Sequence, residues 1–464
     1  MAGLVLEMLV KAWLAMGIAW VLTTLFDPVT ALGVGQGQIV AVFGFYLYCL
    51  IVLALPSAHK PFHVLSIPFL TQFLHLFQKY DFSAGANSLW RLFPFIVMDL
   101  YLLCMLARFK TGLSRPEQSL LASWVIVQFL FIIISPNLER VIMGAFVLFL
   151  VTLPAGFLYF SIFSRTLGFT GRLELYCCLL FVILALGTFG LVFFGARYKG
   201  AENLLVTRNI SDTNVTMAYF ILVWPFAVRY ASRMKLPLLA TSLLVMLFAG
   251  VVVLSFSRGA VLIVGPYVAG TLFIMGRFRH LLWFTTSGIA LYLGSDHLTR
   301  LLDVDLAYSW QLRFADFPVT KPGMDGLHAI SGRAEIRKLA YSLFLESPLY
   351  GHGIASFEVL GPGYREAHSM FFTMLAEQGL IGTLYLYAVL LALGRQLLQM
   401  ARVGTEYWPF LMAFGAYLLF NHAVGTVFVI IPSKSLTVNC IAPLLLICLY
   451  YYSKSLCQKL GSDG

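Results

Sequence analysis

The chain has 464 residues, 60% of them hydrophobic, 15% aromatic and only 11% charged, with a mean hydropathy of +0.86. Soluble domains carry roughly 25% charged residues, so these proportions exclude a water-soluble globular protein and point to an all-α polytopic membrane protein. The net charge of +10 is spread over many short connections, which is a topology signal rather than a nucleic-acid footprint.

In chain order, apolar runs of spanning or near-spanning length fall at about 4–25, 38–56, 62–78, 90–107, 118–136, 140–163, 172–195, 216–232, 236–256, 259–276, 280–294, 370–396, 406–431 and 436–453. Two of them, 62–78 and 280–294, are short enough to be re-entrant or interfacial, so 12 to 14 transmembrane helices are expected. The N-terminus lacks a basic n-region, and Glu7 and Lys11 interrupt its first apolar stretch, so no cleavable signal is expected. The cysteines at 49, 104, 177, 178, 440, 448 and 457 sit almost all in apolar runs without metal-ligand spacing, and read as small core or lipid-facing residues. The organisation is one integrated membrane domain: N-terminal helices over 1–294, a large loop with short helices over 295–367, and C-terminal helices over 368–464.

Charge orients the chain. With all runs spanning and the N-terminus inside, the cytoplasmic connections hold fifteen basic residues and the opposite short loops eight. The bias has the sign expected for both termini in the cytoplasm. The 295–367 loop then faces outward, which in a Gram-negative cell would be into the periplasm.

Three arginines run against that bias. Arg258 lies in Ser255-Phe256-Ser257-Arg258-Gly259-Ala260, between two apolar runs with almost no loop to hold it. Arg197 opens the outward segment Arg197-Tyr198-Lys199-Gly200, and Arg333 sits in Ser331-Gly332-Arg333, just before an amphipathic helix predicted over 334–345. The structural alternative for each is a snorkelling anchor. The functional reading is phosphate recognition, because a guanidinium binds phosphate oxygens bidentately and never loses its charge.

His368 heads the next apolar run, followed by Ser369 and, after nine residues, by Gly379-Leu380-Ile381-Gly382-Thr383. A neutral imidazole at a helix N-terminus, where the dipole disfavours imidazolium, suits a general base near pH 7. The bland alternative is a cap neighbour whose ring is satisfied by a carbonyl. Glu366 is placed to orient the imidazole or to serve as base itself, and Ser369 to support it. Gly379 and Gly382, about a turn apart on one helix, allow close helix packing beneath the site. Of the other histidines, His59, His63 and His280 read as loop or interfacial residues, His75 and His422 as packed within spans, and His352 as part of a flexible turn. Asp303-Val304-Asp305 has the Asp-x-Asp form that holds a divalent cation against a diphosphate, a pattern common by chance in charged loops. Asp99 and Glu139 are further acidic candidates at membrane depth or edge. Asn209-Ile-Ser211 and Asn214-Val-Thr216 match the glycosylation pattern, which carries no meaning in a bacterial protein.

Together these residues resemble the O-antigen ligase family. His368-Ser369, the nine-residue spacer and Gly379-x-x-Gly382-Thr383 follow its signature of His, then Asn, Ser or Gln, nine residues and a glycine-x-x-small close. The segments around Arg258 and Arg333 resemble its two arginine motifs, and Pro348-Leu349-Tyr350-Gly351-His352-Gly353-Ile354-Ala355-Ser356-Phe357 resembles the loop stretch that follows the second. The four motifs occur in order over 255–383; O-antigen and exopolysaccharide polymerases share them. The resemblance implies a GT-C-like membrane glycosyltransferase working without metal or other cofactor. It implies an undecaprenyl-diphosphate-linked glycan as donor, and lipid A–core or a second lipid-linked glycan as acceptor. It implies inversion at the anomeric carbon, His368 as base, and Arg258, Arg333 and Arg197 on the diphosphate, at the periplasmic face of the bacterial inner membrane. A lipid-linked glycan transporter is the reading from a different class.

Overall fold

A computed structural model describes residues 2–26, 36–77, 89–108, 112–136, 138–194, 197–199, 205–207, 213–255, 257–294, 297, 333–361, 367–423 and 441–462. Hydrocarbon offers no hydrogen-bond partners, so each apolar run must satisfy its own backbone, and every one of the fourteen runs holds a helix. Eleven precede the large loop: α1 Ala2–Phe26, α2 Gln36–Ala54, α3 Lys60–Phe77, α4 Leu89–Arg108, α5 Arg115–Ile133, α6, α7 Phe169–Phe194, α8 Thr213–Ala231, α9 Pro237–Leu254, α10 and α11 Phe278–Leu293. In α6 the stretch Ile142–Thr152 between Leu138–Val141 and Leu153–Phe163 is π-helical, and α10 joins π-helical Ala260–Val264 to Gly265–Ile274. The loop region contributes α12 Arg333–Glu346 and α13 Phe357–Leu360; α14 Met370–Val403, α15 Trp408–Ala423 and α16 Ile441–Ser462 complete the chain. Six of the helices are long and apolar enough to cross a membrane by length and composition alone. The chain is an all-α polytopic membrane protein. Among the described residues the exception is a two-stranded antiparallel hairpin, β1 Arg197–Lys199 with β2 Leu205–Thr207.

The bundle core is aromatic. Phe181 of α7, Phe220 and Trp224 of α8 and Phe248 of α9 pack with ring centroids 5.0–5.6 Å apart. Pro225, inside α8, has no N–H to give to the carbonyl of Ile221, and the hydroxyl of Tyr267 donates to that carbonyl at 3.1 Å. The proline costs the helix a hydrogen bond, and the neighbouring helix α10 restores it.

One end of the bundle gathers basic residues that the charge bias assigns to the cytoplasm, and there Arg229, Arg233 and Lys454 meet carboxylates. Buried Glu174 of α7 accepts from Arg229 Nε at 3.0 Å, from Arg233 Nη1 at 2.5 Å and from the hydroxyl of Tyr452. Arg229 also donates to the hydroxyl of Tyr407 at 2.9 Å and stacks over that ring at 4.2 Å. Nearby, Lys454 of α16 holds Glu117 of α5 at 2.6 Å, and Lys60 donates to the carbonyls of Val52 and Leu53 at the end of α2. Buried ions demand partners of this kind, and removing one partner costs about 3–5 kcal/mol. Glu174→Ala is therefore expected to lower the melting temperature of the detergent-solubilised protein markedly; an unchanged melting curve would show that the α7–α8–α16 network does not hold the bundle.

Candidate active site

The site is built on a broken helix. Within α14, Gly379 has φ 59° and ψ −160°, dividing it into arms 370–378 and 380–403. Phe371 and Tyr387 lie sixteen positions apart, a separation of about 24 Å along a straight helix, yet their ring centroids are 6.4 Å apart. The arms are folded sharply on each other.

A break inside a helix exposes peptide groups, and the loop after α12 takes them up. His352 N donates to Ala376 O at 3.1 Å and Gly353 N to Glu377 O at 2.7 Å, while Leu380 N and Ile381 N donate to Pro348 O and Leu349 O at 2.8 and 3.1 Å. The contact is backbone against backbone. A Cβ on Gly379 would lie 2.5 Å from the Leu349 carbonyl carbon, and one on Gly351 2.4 Å from that of Glu377. Both glycines also have positive φ. The far side of the loop is tied to α5, with Ile354 N donating to Phe131 O at 3.0 Å and Ser135 Oγ to Ile354 O at 2.8 Å. This corrects the expectation that Gly379 and Gly382 pack a continuous helix: Gly379 makes the break, while a Cβ on Gly382 would lie 2.3 Å from the Cβ of Gln378 and 3.0 Å from the Phe131 ring of α5. It also shows that the turn around His352 is tied down, its Nε2 lying 2.9 Å from Leu343 O.

His368 stands at the head of the short first arm, immediately before Ser369, the N-cap residue. It is half-buried, with φ 49°, a left-handed conformation that costs a non-glycine residue of order 1–3 kcal/mol. The flanking backbone is fixed by Thr373, whose hydroxyl donates to Ser369 O at 2.9 Å and accepts from Ala367 N at 3.3 Å. Beneath the arm, Ile336, Ala340 and Leu343 of α12 form a small core with Phe357, Ala367 and Ala376. Their three- and four-residue spacing is the apolar stripe expected for the helix at 334–345.

The residue that joins α12 to His368 is Arg337, which the sequence reading missed. Its Nη2 lies 3.1 Å from the carbonyl of Ala423, at the end of α15, and 3.4 Å from that of His368. The guanidinium carbon stands 5.9 Å from the Phe372 ring centroid. The available signal was its position one helical turn after Arg333.

Arg258 is half-buried in the turn between α9 and α10, where Ser257 Oγ accepts from Ala260 N at 3.2 Å. Among the described residues no carboxylate pairs with Arg258 or Arg337, and no hydrogen bond links Arg258 to His368. The connection is through α15, which packs on α10 and ends at the carbonyl bound by Arg337. Arg333 opens α12 and Arg197 opens β1, paired with Thr207, and the side chains of both lie outside the described residues. Glu366, Asp303 and Asp305 lie wholly outside them, as does the side chain of Glu139. Asp99 accepts from Thr152 Oγ1 at 2.8 Å between α4 and α6. An apolar crevice of about 150 Å³ opens between α5, α6, α14 and α16, lined by Trp124, Phe157, Leu390 and Tyr450 among others, with no arginine or histidine in its walls.

Residues 243–387 match the family model described as O-antigen ligase. That stretch runs from α9 into the second arm of α14 and so contains Arg258, α12, the inserted loop and His368. No curated protein matches the chain.

The two glycines of α14 should separate experimentally. Gly379→Ala needs both a disfavoured φ and displacement of the Leu349 backbone, and is expected to lower thermal stability and abolish activity. Gly382→Ala, at a helical position against side-chain atoms alone, is expected to cost about 1–3 kcal/mol. Equal melting temperatures for the two variants would contradict the break as a rigid element.

Proposed function

We propose that this chain, whose residues 243–387 match the family model described as O-antigen ligase, is the ligase itself: a membrane glycosyltransferase moving a glycan from undecaprenyl diphosphate onto the lipid A–core oligosaccharide. The observation that carries the reading is the placement of His368 on a short helix arm held by α12, beside the Arg337 guanidinium, which has no carboxylate partner among the described residues. The family supports an enzyme of the ligase and polymerase superfamily; the donor, the acceptor and the periplasmic location are the finer content of the proposal. The outward placement is supported by the gathering of paired basic residues at the other end of the bundle.

In this reading Arg258 and Arg333, with Arg197, hold the donor diphosphate, and His368 faces the acceptor hydroxyl. The imidazole takes the hydroxyl proton as the acceptor oxygen bonds to the anomeric carbon from the side opposite the diphosphate. The anomeric C–O bond breaks, its electron pair leaves with undecaprenyl diphosphate, and the configuration inverts. Charge developing on the leaving group is met by preorganised guanidinium groups, which keep their protons at any working pH. A polymerase would use the same groups and differ only in the acceptor, a second lipid-linked glycan.

Purified full-length protein with a lipid-linked glycan and lipid A–core tests the assignment. His368→Ala is expected to reduce transfer by about 10²–10⁴-fold while donor binding persists. Absence of transfer by the parent protein, with movement of donor across vesicles, would assign a transporter instead. In a deletion strain, loss of long chains from lipid A supports ligase; a single capped repeat identifies a polymerase.

A further inference from the structure

Arg337 carries a charge that nothing among the described residues neutralises. Its Nε is buried without a hydrogen-bond partner, and no carboxylate pairs with it. Burying part of a guanidinium in this way costs free energy unless the remaining donors return it. Of those donors, Nη2 reaches two backbone carbonyls that have no sequence relation to each other, Ala423 O at 3.1 Å and His368 O at 3.4 Å. One nitrogen thereby brings the end of α15 and the head of the first arm of α14 together. The far wall is the Phe372 ring, 5.9 Å from the guanidinium carbon and part of the small core beneath the arm.

The carbonyl so held belongs to the candidate base, at φ 49°. A left-handed backbone relaxes readily unless neighbours fix it, and a change of φ at that residue swings the imidazole through several ångströms. Thr373 secures the residues on either side, Ala367 and Ser369, but not the His368 carbonyl.

We propose that Arg337 is a positioning residue for glycosyl transfer: its guanidinium ties the backbone of His368 to the end of α15 and so fixes where the imidazole stands. The inference rests on His368 acting as base in the reading above. Arg337 acts through His368 and does not touch the reacting atoms. Its effect therefore falls on turnover rather than on donor binding, since misplacing a reactive group by about 1 Å costs up to about a hundredfold in rate.

The test uses full-length protein in proteoliposomes, an undecaprenyl-diphosphate-linked glycan and lipid A–core from the native host, with kcat expressed per titrated donor-binding site. Arg337→Gln is expected to lower kcat about ten- to a hundredfold with the donor KM unchanged, and Arg337→Lys, which keeps a cationic donor, to recover part of the loss. Parental kcat in Arg337→Gln would overturn the inference, as would a raised donor KM with kcat intact, which would place the guanidinium on the diphosphate. If Arg337→Gln does not fold, Arg337→Lys decides alone: a reduced kcat at unchanged donor KM supports positioning, and parental kcat refutes it. No transfer by the parent protein would instead defeat the ligase reading, so the two failures are distinguishable.

Discussion

The arrangement of the site depends on repairing one broken helix. Interrupting an α-helix leaves peptide groups without their intrahelical partners, and here four backbone hydrogen bonds with the loop at 348–353 close the gap at Gly379. The same loop is bound on its other side to α5 through Phe131 and Ser135. The first arm of α14 is consequently held at a fixed angle to the second, and His368 at its tip inherits that orientation. Helix α12 closes the arrangement by laying its apolar stripe on the arm and its Arg337 on the histidine backbone.

The arginines around Glu174 and those near His368 stand in different surroundings. At the basic end Arg229 and Arg233 share Glu174, and Lys454 is matched by Glu117, so buried charge is neutralised within the protein. At the other end Arg258 and Arg337 have no carboxylate among the described residues. A paired guanidinium is spent on the fold; an unpaired one near the membrane surface keeps its field for an anion or for a neighbouring backbone dipole. Arg277, also at the basic end, meets the Thr241 hydroxyl rather than a carboxylate, so pairing marks the Glu174 cluster as structural without by itself marking the opposite end as reactive.

Much of this was legible in the sequence because hydropathy and helical periodicity are local properties. The apolar runs, the amphipathic helix at 334–345 and the helix start after His368 all follow from residues within a turn or two of each other. The break at Gly379 was not legible. A glycine pair three residues apart reads equally well as a packing notch, and only the approach of the loop at 348–353, some thirty positions away, separates the two roles. Arg337 was passed over for a related reason: it lies in an ordinary helical stretch, and its importance comes from two carbonyls at 368 and 423 that no local pattern places beside it. Conversely, the glycines around His352 suggested a flexible turn, whereas they are the points where two backbones touch.

Backbone strain fits the same logic. Two described non-glycine residues have positive φ, Ala355 and His368, and they flank the segment that leads from the inserted loop back to the arm. Each is held at its outer edge: Ala355 follows the Ile354 pair to α5, and His368 meets the Arg337 guanidinium. A reactive group carried on a free loop would lose turnover to its own conformational freedom, because the proton acceptor must stand within hydrogen-bond reach of a hydroxyl on a large glycan. Mounting it on a nine-residue arm across a stitched break gives the rigidity of a helix without the direction of the span beneath. The chain accepts a strained residue and a partly unpaired arginine at one point, and the return is a histidine whose position is set by three separate helices.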